Sequence, residues 1–99
     1  MKNIVVGAGI SGAVIAHVLA KQGEQVLVID SNPHIGGNCY DYYDENGICV
    51  HKYGTHIFHT DIQRVWDFVS RFTAWHPYMH KVLGFLDGQL VPIPFNLNS

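Results

Sequence analysis

Apolar and polar positions fall in blocks along the chain, and each block implies an element. Lys2 to Val6 is an apolar run of strand length. Val14, Ile15, Val18 and Leu19 then recur at helical spacing within Ala13 to Lys21, a segment that Gly23 ends. A second β-branched run, Val26 to Ile29, is closed by Asp30. Strand, helix and strand in that order predict a βαβ unit. Tyr40 to Tyr43 and Ile48 to His51 predict two short strands joined by Asp44-Glu45-Asn46-Gly47, whose Asn-Gly step favours a hairpin. Thr60 to Phe72 predicts a second helix, because Ile62, Val65, Trp66, Val69 and Phe72 repeat at helical intervals. Thr60 and Gln63 have the spacing of a capping box, and Asp61 suits the positive end of the helix dipole. The aromatic stripe of this helix reads as core. Val82 to Leu86 and Gln89 to Ile93, separated by Asp87-Gly88, predict a second hairpin with a type I′ turn.

The link between the first strand and the first helix is Gly7-Ala8-Gly9-Ile10-Ser11-Gly12, the spacing of a dinucleotide fingerprint in its proper setting. Gly7 permits a sharp turn out of the strand, Gly9 removes a side chain that would keep the backbone from a pyrophosphate, and Gly12 lets the helix lie close to the sheet. The first amides of the helix point at the same anion. Asp30, at the end of the second strand, is placed to accept hydrogen bonds from a ribose diol and to repel a 2′-phosphate. Ile35-Gly36-Gly37-Asn38 forms a second Gly-rich loop that can pass close to a cofactor. The fold class is therefore α/β, a Rossmann-like FAD/NAD(P)-binding βαβ unit with added β-hairpins and a helix. At 99 residues it is expected to be an incomplete domain, since a sheet covered on both faces usually needs more chain.

Composition narrows the partners. A net charge of −2 with no basic run gives no electrostatic case for nucleic acid or an anionic membrane, and no membrane span is expected. Lys2 precedes an apolar segment, but glycines and His17 break it, so it does not read as a secretory signal. Cys39 and Cys49 lack CxxC spacing, and reduced thiols in a cytoplasmic protein are expected. His51-Lys52-Tyr53-Gly54-Thr55-His56-Ile57-Phe58-His59-Thr60 is the densest run of functional side chains. A zinc site using His51, His56 and His59 with Cys39 or Cys49 is the alternative reading, but the spacing matches no familiar zinc pattern and the interleaved Tyr, Phe and Ile resemble a pocket wall, so no metal is assigned. Pro77 keeps His76 and His80 off a common helical face.

Taken together, the GAGISG turn, the Asp30 to Asn38 element, the run HKYGTHIFHT, and the order of Trp66, Pro77-Tyr78 and the Gly88 hairpin resemble the N-terminal region of the prokaryotic UDP-galactopyranose mutases. The resemblance covers essentially the whole chain, so residues 1–99 would be the N-terminal FAD-binding segment of a larger enzyme. It implies an isomerase that interconverts UDP-galactopyranose and UDP-galactofuranose for surface glycans, with FAD active when reduced, flavin N5 attacking the anomeric carbon, and no net redox change. By position it implies that Gly7, Gly9, Ser11 and Gly12 hold the pyrophosphate, Asp30 the adenosine ribose, and Gly37 and Asn38 other parts of the cofactor. Gly54, His56, Ile57 and His59 would line the flavin and sugar site, with His59 and His56 catalytic, and His80 would face the substrate. The family's substrate-binding arginines lie beyond Ser99, so this chain alone is expected to be inactive. Phe58, Phe85 and Phe95 lack assured partners, which makes self-association into a homo-oligomer expected. A flavin oxidoreductase of the amine oxidase type and a non-catalytic dinucleotide-binding module are the competing readings.

Overall fold

The computed structural model describes residues 2–79 and 81–94. His80 and Phe95, named above, lie outside the described residues. The chain divides into two units, Met1–His56 and Ile57–Ser99.

In the first unit, β1 (Lys2–Val6) and β2 (Gln25–Ile29) pair in parallel, with Lys2 opposite Gln25 and Val6 opposite Ile29, and α1 (Ile10–Lys21) makes the crossover. The helix begins three residues earlier than its apolar period suggests. Ser11 and Gly12 carry no apolar signal, yet both lie in the first turn behind the N-cap Gly9. Gly12 has to be glycine there, because a Cβ would collide with the Gly7 carbonyl oxygen and sit 3.3 Å from Val5 Cγ1. At the other end Gly23, at φ +84°, closes a Schellman motif: its amide donates to the Ala20 carbonyl (3.0 Å) and the Glu24 amide to the Leu19 carbonyl (3.1 Å).

β3 (Asp41–Tyr43) and β4 (Cys49–His51) form the predicted antiparallel hairpin, shorter by one residue at Tyr40 and one at Ile48. Its connection is organised by Asp44, whose Oδ1 accepts from the Asn46 and Ile48 amides, both at 2.9 Å.

In the second unit, α2 is Gln63–Val69, not Thr60 to Phe72. The capping box does not form. Thr60 Oγ1 takes the Ile62 amide (3.1 Å), Ile62 becomes the N-cap, and Gln63 Nε2 donates forward to Asp67 Oδ1 (2.7 Å). After Val69 the chain continues in tighter turns, with the Arg71 amide on the Phe68 carbonyl and the Phe72 amide on the Val69 carbonyl, which extends the apolar spacing without extending the helix. β5 (Val82–Leu86) and β6 (Gln89–Ile93) form the second hairpin over the predicted residues, and Asp87 (φ 49°) with Gly88 (φ 79°) gives the two positive φ values of a type I′ turn.

The three pairs form three separate two-stranded sheets. A parallel pair normally has both faces covered. Here Ile4 and Val6 of β1 are 66% and 80% exposed, and Ala8 is the one buried apolar residue among those described. That is the signature of an incomplete Rossmann-like domain.

Candidate functional site

The fingerprint turn holds one peptide, that of Ala8, from both sides. Its N–H donates to Asp30 Oδ2 at 2.7 Å, and its carbonyl accepts from the Gly36 amide at 2.8 Å. Gly7 reaches φ +104° to make this turn, and its amide continues the parallel ladder by donating to the Ile29 carbonyl at 2.7 Å. The second Gly-rich loop is thereby seated on the first. A Cβ on Gly37 would stand 3.2 Å from Gly9 Cα, so these two glycines make room for each other as well as for a ligand. Asn38 lies in the single 3-10 turn Gly37–Cys39 that follows.

Asp30 has more to do than the sequence indicates. Besides the Ala8 amide, it accepts the Asn32 amide on Oδ1 at 2.7 Å. These two backbone hydrogen bonds, the Ala8 one first, hold its carboxyl below the usual carboxylate range, with a smaller contribution from His34 and burial opposing. Each oxygen retains a second lone pair for a ribose hydroxyl.

A dinucleotide fits this arrangement. Gly9 caps α1 without a side chain and the first turn carries no acid, so the amides of Ile10, Ser11 and Gly12 are left to an external anion. Beside them, at the end of β2, Ala8, Val28, Asp30, Pro33, His34 and Ile35 line an open pocket of about 400 Å³. It has the size of a small-ligand pocket and the position a ribose occupies in a βαβ site.

The histidine run is divided between the units. Gly54 (φ +97°) turns the chain, and His56 Nδ1 lies 3.0 Å from the Gly54 carbonyl, which can only accept, so Nδ1 carries the proton of the neutral ring. Ile57 and His59 belong to the second unit, where Phe58 between them joins an aromatic stack with Trp75 (4.9 Å) and Trp66 (6.1 Å). Trp66 and Trp75 stack on each other at 4.9 Å. His51 faces its cross-strand partner Asp41 at 3.5 Å. Among the described residues no three of His, Cys, Asp and Glu gather as a metal-binding group. Both cysteines are free and exposed, and partial desolvation followed by the nearby Asp41 carboxylate pushes the Cys49 thiol up.

Sequence reasoning passed over one cluster. His34 stacks on Tyr40 (3.9 Å between centroids, 11° between planes) and its Nε2 meets the Tyr53 hydroxyl at 2.8 Å. A lone histidine inside a turn gives no sequence signal, and Tyr53 was visible only as one member of the run.

Comparison with known proteins agrees with this geometry. A family model described as NAD(P)-binding Rossmann-like domain matches residues 5–72. The chain is 46% identical over 99 residues to a dTDP-fucopyranose mutase of Escherichia coli, covering 99% of this chain and 26% of that protein. It is 48% identical over 100 residues to a probable UDP-galactopyranose mutase of Klebsiella pneumoniae (99% and 26%). A UDP-galactopyranose mutase of Mycoplasma pneumoniae is 48% identical over 98 residues (97% and 25%). The chain thus spans about a quarter of the length of these relatives.

Proposed function

Because the chain belongs to the NAD(P)-binding Rossmann-like domain family, we propose that it supplies the FAD-binding part of a mutase that interconverts UDP-galactopyranose and UDP-galactofuranose. The observation that carries this reading is the extent of the likeness. A fingerprint turn alone is common to many nucleotide-binding proteins, whereas identity of 46–48% to hexopyranose mutases runs over 97–99% of the chain, through the histidine run and the second unit. A probable zeta-carotene desaturase of Synechococcus elongatus, from the oxidoreductase class, is 28% identical over 81 residues.

In this reading the amides of Ile10 to Gly12, with Gly7, Gly9 and Ser11 around them, bind the pyrophosphate, and Asp30 accepts the ribose hydroxyls. Gly37 and Asn38 contact the cofactor where the second loop crosses the first. Reduced FAD, when bound, supplies a nucleophilic nitrogen and permits an isomerisation with no net redox change. His56, with its Nδ1 proton committed to Gly54, offers Nε2 as an acceptor, and His59 donates a hydrogen bond to charge that develops as the nucleotide departs. Gly54 and Ile57 are assigned to the flavin by their positions in the run, and His80 to the substrate.

The test is to reduce the complete polypeptide containing these residues with dithionite in the presence of FAD, supply UDP-galactofuranose, and follow UDP-galactopyranose by chromatography. Turnover well above a flavin-only control, without consumption of an electron acceptor, is expected. Acceptor-dependent oxidation would reassign the protein to the flavin oxidoreductases, and FAD binding with neither reaction would leave a dinucleotide-binding module. The E. coli relative favours one second reading, with dTDP-fucopyranose as the sugar nucleotide, and dTDP-fucofuranose in the same assay decides between them.

A further inference from the structure

We infer that His34 and Tyr53 form a positioning tie that couples the fingerprint end of the nucleotide site to Gly54 and His56. This inference rests on the proposed flavin reading of that second segment. Three contacts fix the His34 ring. Its face lies on Tyr40, its Nδ1 is 3.0 Å from the Ile35 carbonyl, and its Nε2 is 2.8 Å from the Tyr53 hydroxyl. A carbonyl only accepts, so the proton of the neutral ring is on Nδ1, and Nε2 accepts the Tyr53 O–H. The tie therefore has a defined donor direction and tautomer.

Both ends of the tie reach residues that matter. On one side His34 and Ile35 are walls of the pocket at the end of β2, and the next residue, Gly36, donates to the Ala8 carbonyl of the fingerprint. On the other side Tyr53 directly precedes Gly54, whose carbonyl holds the His56 ring. Tyr53 is further held by Lys52, with Nζ 5.6 Å from the ring centroid. Between the fingerprint and His56 the chain makes a hairpin, and His34–Tyr53 is a side-chain hydrogen bond that bypasses it. A ligand that touches only the fingerprint gains nothing from this tie, whereas one long enough to reach Gly54 and His56 finds them already placed.

The test compares ADP and FAD as probes on the full chain, wild type against Tyr53→Phe, which removes the hydroxyl and keeps the ring. FAD affinity is expected to fall about five-fold, the loss of one hydrogen bond, with ADP affinity changing less than about two-fold. A ¹⁵N spectrum of His34 provides a readout without ligand: the Nδ1–H tautomer is expected in wild type, with a shift toward Nε2–H in Tyr53→Phe. Equal weakening of both ligands, or no change in either, would overturn the positioning role. Wild type that binds ADP but not FAD, with the Nδ1–H tautomer intact, would overturn the flavin reading and reduce the tie to a fold contact. The wrong tautomer in wild type would overturn the tie itself.

Discussion

Asp30 is fixed by two amides of the protein before any ligand arrives. Its contribution to holding the fingerprint turn depends on its charge, and the sign follows from its lowered carboxyl: the contribution is present above the ordinary value of about 3.8 and is lost as pH falls through the lower value in the folded chain. Asp30→Asn keeps one acceptor oxygen but turns an NH₂ toward a backbone N–H. We expect this variant to show faster hydrogen exchange at Ala8 and Asn32 at neutral pH, and the wild type to reach comparable rates, after correction for the intrinsic pH dependence of exchange, only under strong acid. Amide exchange followed by NMR checks both. The single-residue roles legible in the sequence were those with a steric cause local in the chain, such as Gly7 and Gly12. The mutual packing of Gly9 and Gly37, the amides on Asp30, and the partners of His34 depend on how two loops meet, which no local pattern encodes.

The elements were legible wherever a period and a punctuating residue agreed. The type I′ hairpin needed only Asp87-Gly88 between two apolar runs, and Gly23 closed α1 where expected. The predicted α2 is longer than the observed one because apolar spacing does not distinguish an α-helical turn from the tighter turns after Val69, where the Arg71 and Phe72 amides reach the Phe68 and Val69 carbonyls. Within the second unit Phe58, Trp66 and Trp75 form a stack in which each stays more than a third exposed, and Trp75 Nε1 donates to Ser70 Oγ at 2.7 Å. Both tryptophans of the chain are in it, so it has its own optical signal. Trp75→Leu is expected to abolish the exciton couplet of the two indoles in the far-ultraviolet circular dichroism. It should also cost about 1–3 kcal/mol by urea unfolding monitored through Trp66. Trp75→Phe should recover part of the stability and none of the couplet.

Three two-stranded sheets and one buried apolar side chain among the described residues leave much apolar surface in water. Phe85 and Leu90 face each other across β5 and β6 at 75% and 65% exposure. Isolated hairpins of this kind are marginal, and exposed patches of this extent associate. The 99-residue chain is expected to bind an apolar dye strongly and to show a sedimentation coefficient that rises with concentration; a dilution series giving one monomeric species with no dye binding would contradict this. The parallel pair β1–β2 has a further consequence. Its partners, Lys2 and Gln25 to Val6 and Ile29, stand a whole helix apart in the chain, whereas β3–β4 and β5–β6 close across short turns. Parallel pairing of this kind meets the loop-closure entropy of its crossover before any ladder bond rewards it, so it forms more slowly than a hairpin. The Gly7 amide reaches the Ile29 carbonyl and the Ala8 amide reaches Asp30 only where β1 and β2 have met, so the nucleotide-binding turn is expected to be the last part of the first unit to form.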